Sequence, residues 1–98
     1  MPNDDESSLA TPRVTVTLPA ALVKLFPGSE RRVELGAATV GGAIDALDAR
    51  WPGMRDRMCD SSPCIRRHVN VFVAGERATL ATRLPPGAEV VVLLAIMG

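Results

Sequence analysis

The amino-acid sequence predicts an α+β domain in which a mixed sheet of four to five strands carries one main helix on one face. Short segments with alternating apolar residues, which are typical of strands, lie on both sides of a single segment with helical spacing. The chain then ends in an uninterrupted apolar stretch, Val90–Met97, whose valines favour a strand. Since the helix separates two groups of strands, a crossover connection is needed, and the last strand is expected to lie beside the first.

The first two strands are predicted at Arg13–Leu18 and Glu30–Leu35, paired antiparallel. The first alternates valine or leucine with threonine until Pro19, which is the period of a strand with one buried face. The second carries several charged residues, which are typical of an exposed edge strand. The segment Ala20–Gly28 between them is too short for a full helix before its Pro-Gly turn, so we expect a wide, partly buried hairpin loop.

The main helix is predicted over residues 39–51. The hydroxyl of Thr39 can cap its first turn, and the following Pro52-Gly53 pair ends it. Apolar residues recur at helical spacing along this segment, at Val40, Ile44, Leu47 and Trp51. This stripe is expected to pack on one face of the sheet.

The second half of the chain is predicted to consist mainly of strands. Residues 54–67 are polar and irregular, so they are expected to form a long surface connection. The strand pattern then returns in three segments, at His68–Glu76, at the short edge segment Arg77–Arg83, and at Glu89–Ala95. The acidic segment formed by residues 1–12 is predicted to be a disordered leader. Residues 13–95 are predicted to form the folded domain, and residues 96–98 a projecting tail.

The last strand is apolar on both faces, although the sheet has only one predicted helix to cover it. Val90 and Val92 alternate with Val91 and Leu93, so that the two pairs point to opposite sides of the sheet. Either the long connection covers the face that lacks the helix, or part of that face is a binding surface.

Length and charge limit the classes of partner. Ninety-eight residues suit one domain, and the 11 basic and 11 acidic residues cancel. The overall charge therefore gives no indication of nucleic acid or an anionic membrane as a partner. The apolar stretch at the end of the chain is too short to cross a bilayer as a helix, which takes about 20 residues. No secretory signal is visible, and we expect a cytoplasmic protein.

The sequence offers few groups for catalysis or metal binding. Cys59 and Cys64 are the only cysteines, and without further ligands at matched spacing we interpret them as two ordinary loop thiols. His68 is the only histidine, and no Ser/His/Asp or Cys/His set can be recognised around it. We therefore predict that the protein is not an enzyme and binds neither a metal nor a cofactor.

Several motifs together resemble the MoaD/ThiS family of bacterial sulfur carriers, which have the ubiquitin-like β-grasp fold. They are the helix start Ala38–Leu47, the strand and turn Val69–Glu76, and the Leu84–Val90 lead-in to the last strand. The Asp60–Pro63 insertion is most similar to the branch of carriers used in thiocarboxylate-dependent cysteine synthesis. The resemblance covers residues 13–98 and implies a β-grasp domain.

The resemblance also implies a carrier that serves as co-substrate for other enzymes. A ubiquitin-activating-type adenylyltransferase would use ATP to adenylate the carboxylate of Gly98. A sulfur donor would then convert it to a thiocarboxylate for a sulfur-accepting synthase that makes cysteine, molybdopterin or a similar product. Ile96 and Met97 would form the tail that enters these partners. The surface that docks the activating enzyme would consist of Phe72, Val91 and Leu93.

The end of the chain departs from the family pattern. Family members end in Gly-Gly, whereas Met97 occupies the place of the penultimate glycine here. Its flexible side chain is compatible with an active carrier that has a tolerant partner. A diverged β-grasp interaction subunit that has lost sulfur transfer, or a sequence that lacks its last residue, would show the same ending. A protein modifier that forms isopeptide bonds with lysines would also use this terminus.

Overall fold

The structure, a computed structural model, describes residues 11–59, 65 and 68–94. The elements in this part of the chain are, in order, β1 (Arg13–Thr17), α1 (Ala20–Leu25), β2 (Arg32–Gly36), α2 (Val40–Arg50), α3 (Met54–Met58), β3 (Val69–Val73), β4 (Glu76–Arg77) and β5 (Glu89–Leu94). The strands form one sheet in the order β2-β1-β5-β3-β4. The last strand runs parallel to β1 and antiparallel to β3, so the predicted mixed α+β sheet is confirmed.

One face of the sheet is buried under α2. The valines of β1, β3 and β5 that point to this face are at most 4% exposed, and they are Val14, Val16, Val69, Val71, Val90 and Val92. The helix contributes Val40, Ile44 and Leu47 to the same core, each at most 2% exposed. The alternate residues of each strand point to the opposite face, where they are half-buried or exposed and where none of the helices of the described residues packs.

The predicted boundaries of the main helix agree with those of α2. The amide of Gly42 donates a 3.1 Å hydrogen bond to Oγ1 of Thr39, which is therefore the N-cap. At the other end the amide of Trp51 donates to the carbonyl of Leu47 at 2.8 Å. The helix consequently begins and ends where the sequence indicates.

We expect the Thr39→Ala substitution to lower the free energy of unfolding by about 1 kcal/mol, because it leaves the amide of Gly42 without its side-chain acceptor. Urea unfolding followed by circular dichroism measures this difference. Thr39→Ser keeps the hydroxyl and is the matched control, for which we expect a change of less than about 0.5 kcal/mol. Equal losses in the two variants would contradict the capping role.

Two segments predicted as irregular are short helices. Residues 20–25 form α1, which begins after Pro19 with the amides of Leu22 and Val23 donating to the carbonyl of Pro19. The hairpin-loop prediction was wrong here, because Leu22, only 2% exposed, anchors the turn in the core. Short apolar segments of this kind have too few turns to show helical periodicity.

The connection after α2 was also predicted incorrectly over residues 54–59. Met54 and Met58 of α3 are one helical turn apart, and both are fully buried. The Asp48 carboxylate accepts hydrogen bonds from the amides of Gly53 and Arg55, both at 3.0 Å, and so holds the start of α3. Cys59 is 4% exposed and belongs to the core, so it is not the ordinary loop thiol that was predicted.

Some predicted segments lie outside the part of the chain that the structure describes. Residues 1–10 of the leader, the whole Asp60–Pro63 motif with Cys64, and residues 95–98 lie outside the described residues. The carbonyl of Pro12, the last residue of the predicted leader, accepts a 2.9 Å hydrogen bond from the amide of Ala37. In the part of the chain that is described, no helix is long and apolar enough to cross a membrane.

Candidate functional site

The sheet face opposite α2 carries a continuous row of side chains across all five strands. The pairing registers place Arg32 of β2 beside Thr17 of β1, and Thr17 beside Val91 of β5. Val91 lies beside Phe72 of β3, which in turn lies beside Arg77 of β4. The row therefore has an apolar centre and a cationic residue at each edge of the sheet.

The three residues predicted as a docking surface lie together in this centre. Phe72 and Val91 are directly opposite each other on neighbouring strands. Leu93 follows Val91 on the same face and is 47% exposed, one of two exposed large apolar side chains among the described residues. We call Phe72, Val91 and Leu93 the open-face patch. The structure brings its members together, while its role as a docking surface stays a prediction.

The open-face patch forms one wall of a shallow groove. The other wall is the segment that leads into β5, which contributes Arg83, Pro85, Gly87, Ala88 and Glu89. The amide of Gly87 donates to the carbonyl of Arg13 at 2.8 Å, and the amide of Thr15 donates to the carbonyl of Ala88 at 3.0 Å. These bonds tie the segment to β1, so the wall has a fixed position beside the patch.

The sequence did not indicate this second wall. The local feature that could have indicated it is the turn Pro85–Ala88, which is closed by a 3.0 Å hydrogen bond from the amide of Ala88 to the carbonyl of Pro85. Gly87 has a φ of 81°, which is the left-handed conformation that the third position of such a turn requires. The Pro-Pro-Gly motif predicts the turn, but not the strand against which it packs.

Charged groups surround the patch. The guanidinium of Arg32 lies 3.3 Å from the Glu89 carboxylate, but both side chains are more than half exposed, so the pair contributes at most about 1 kcal/mol. Arg77 donates a hydrogen bond to the side-chain oxygen of Asn70 and so lies along the sheet. These contacts orient the cations around the apolar centre.

The predicted tail begins where the description of β5 ends. Leu94 is the last described residue of this strand, and it pairs with Val69 at the start of β3. Ile96, Met97 and Gly98 lie outside the described residues, so their predicted roles stay predictions. His68, which was predicted to be a strand-end residue without a catalytic role, immediately precedes β3 and is exposed.

Within residues 11–59, 65 and 68–94, no three side chains of histidine, cysteine, aspartate or glutamate come close enough together to hold an ion.

A five-stranded mixed sheet in the order 2-1-5-3-4, with one main helix on one face, defines a ubiquitin-like β-grasp protein. Solved structures confirm this class. A chain of the BexX/CysO complex of Amycolatopsis orientalis matches with a TM-score of 0.78 and 30% identity, over 87% of this chain and 98% of that one. SAMP1 of Haloferax volcanii matches with a TM-score of 0.74 and 28% identity, over 88% and 98%.

The sequence identifies the family. The sulfur carrier protein CysO of Mycobacterium tuberculosis is 34% identical over 91 residues, which are 87% of this chain and 97% of the relative. No protein-family model matches. The chain belongs to the CysO family of ubiquitin-like sulfur carriers, and it is accordingly a carrier protein and not an enzyme.

Proposed function

We propose that this sulfur carrier is loaded at the carboxylate of Gly98. A ubiquitin-activating-type adenylyltransferase joins the carboxylate to AMP from ATP and releases pyrophosphate. Sulfide from a donor then displaces AMP and leaves a thiocarboxylate. Water destroys an acyl-adenylate, so this step needs an enclosed site in the partner. The observation that carries the proposal is the 34% identity to a sulfur carrier along 97% of that relative's length.

Glycine suits the reacting position for a physical reason. Without a Cβ, the backbone of Gly98 can approach catalytic groups closely and can adopt extended conformations that other residues avoid. Ile96 and Met97 are proposed to enter the partner with it. The loaded carrier then delivers sulfur to a synthase that makes cysteine, molybdopterin or a similar product. Because activation consumes ATP, we place this cycle in the cytoplasm.

Intact-protein mass spectrometry tests the loading step. The protein is incubated with ATP, a sulfide donor and the purified adenylating enzyme of the same organism. We expect a gain of about 16 Da, which corresponds to replacement of one carboxylate oxygen by sulfur. Omission of ATP is the control. An unchanged mass with an enzyme that is active on another carrier would exclude this function.

The open-face patch is proposed to dock the adenylating enzyme. Its residues are exposed or half-buried and lie on the face opposite α2, and two of them, Val91 and Leu93, belong to the strand that leads toward the tail. Burial of apolar surface of this kind favours association, because it removes the surface from water. A partner bound here is therefore beside the strand that leads to Gly98.

Met97 is proposed to slow adenylation, because it places a side chain directly before the reacting glycine. We expect Met97→Gly, which creates the Gly-Gly ending of the wider family, to raise kcat/KM for adenylation by about three- to tenfold if the partner site is narrow. Pyrophosphate release measures the rate. Met97→Leu retains an apolar side chain without the thioether's flexibility and should be slower than the natural chain. A slower Met97→Gly variant would mean that the partner recognises the methionine.

The similarity to SAMP1, which is named a small archaeal modifier protein, favours protein modification as a second candidate function. The same activated Gly98 would then form an isopeptide bond with a lysine amine of a target. The two functions differ in their products. A thiocarboxylate appears as a gain of about 16 Da on this chain, whereas conjugation gives adducts of higher mass that resist thiols.

A further inference from the structure

The turn between β3 and β4 contains a strained residue. Ala74 has a φ of 54°, and in the described part of the chain it is the only residue other than glycine with a positive φ. It is followed by Gly75 with a φ of 82°, so both central residues of the turn are left-handed. This is the geometry that favours Asn-Gly or Gly-Gly, because the Cβ of alanine crowds the neighbouring carbonyl.

The strained residue is part of the groove on the open face. Ala74 lines this groove together with Phe72 and Val91 of the open-face patch. Pro85 and Ala88 line its opposite wall. Glycine would fit the turn without strain, and nothing lies within 4 Å of a Cβ added at Gly75, so the turn is not held in place by packing at that position. The strain therefore coincides with the surface that is proposed to dock the adenylating enzyme.

The groove is lined by two charged residues, Arg83 and Glu89. Glu89 is already paired with Arg32 at 3.3 Å, whereas Arg83 is exposed and belongs to neither of the ion pairs found among the described residues, Arg32–Glu89 and Arg55–Asp45. A mainly apolar groove with a cation that is paired with no carboxylate of the described residues complements an apolar side chain that has a carboxylate next to it. A protein segment can supply both groups.

We infer that the groove receives an apolar side chain and an adjacent carboxylate of the adenylating enzyme. The methyl group of Ala74 is a contact in this interface, and the chain retains this methyl group at a cost in stability. This rests on the proposed function, since the partner is the enzyme that loads Gly98. The Ala74 methyl and the open-face patch would enclose the apolar side chain. Arg83 would pair with the carboxylate.

The inference predicts opposite effects of one substitution on folding and on binding. Ala74→Gly relieves the left-handed alanine and should raise Tm by about 2 to 6 °C. It also removes a methyl group from the interface and should weaken binding of the adenylating enzyme about fourfold. Calorimetric titration without ATP measures the Kd of the full-length chain.

The matched control is Ala49→Gly on an exposed position of α2, which lies on the other face of the sheet. This substitution should lower Tm, because glycine weakens a helix interior, and should leave the Kd unchanged. Arg83→Glu should raise the Kd about tenfold, whereas Arg57→Glu on the exposed side of α3 should not. These two pairs of variants separate the loss of an interface contact from a general change in stability or charge.

The outcomes distinguish this inference from the proposed function. If the natural chain gains about 16 Da but Ala74→Gly binds at least as tightly as the natural chain, the interface role of Ala74 is wrong and the carrier function stands. If Arg83→Glu and Arg57→Glu bind equally well, the paired carboxylate is wrong. If the natural chain is neither bound nor modified, the proposed function itself fails.

Discussion

Conversion of the Gly98 carboxylate to a primary amide is expected to abolish thiocarboxylate formation completely. An amide offers no carboxylate oxygen to attack the α-phosphate of ATP, so neither the acyl-adenylate nor the thiocarboxylate can form. The amidated chain is assembled by ligation of a synthetic C-terminal peptide. Intact mass after incubation with ATP, sulfide donor and adenylating enzyme should then show no gain of about 16 Da.

The control is the same ligated chain with a free carboxylate, which should be loaded like the natural protein. The amide leaves the open-face patch unchanged, so its binding to the enzyme should change less than about threefold. Loss of loading with retained binding would assign the chemistry to Gly98 alone. Sulfur found on the amidated chain would place the acceptor group elsewhere and refute the mechanism.

Leu93→Asp is expected to weaken binding of the adenylating enzyme by at least about 30-fold. Burying a leucine of the open-face patch in the interface contributes roughly 2 kcal/mol, and the substitution also places a carboxylate in an apolar contact. The side chain is 47% exposed in the structure, so its loss should affect the fold much less than it affects the complex. Calorimetric titration and thermal unfolding measure the two effects separately.

Leu25→Asp is a close match for this substitution. Leu25 is the other exposed large apolar residue of the described chain, at 52%, and it lies in α1, outside the open face. Both variants replace an exposed leucine by the same charge, so general effects on solubility and net charge cancel in the comparison. We expect binding to survive Leu25→Asp within about threefold. Equal losses in the two variants would mean that the open-face patch is not the docking surface.

Most of the fold could be predicted from local patterns, because each pattern agrees with the tertiary structure. The alternating valines of β1 and the stripe at Val40, Ile44 and Leu47 appear in the structure as two packed layers. The short helices α1 and α3 could not be predicted in this way. They are only six and five residues long, and burial of Leu22, Met54 and Met58 stabilises them in place of a repeating pattern.

The candidate site was predictable only in part, for a related reason. A strand that is apolar on both faces predicted Val91 and Leu93 on the open side of the sheet, and the structure places both there. The opposite wall of the groove depends on hydrogen bonds between residues more than 70 positions apart, such as Gly87 with Arg13. The left-handed conformation of Ala74 is equally invisible in the sequence, because alanine gives no local signal for it.

The position of β5 has a mechanical consequence for a protein whose end is handled by other enzymes. This strand is hydrogen-bonded on both sides, parallel to β1 and antiparallel to β3. A pull on the chain beyond Leu94 acts along the strand and loads both ladders in shear, so their bonds share the force and do not open one after another. The domain can therefore stay folded while an enzyme draws on the end of its chain.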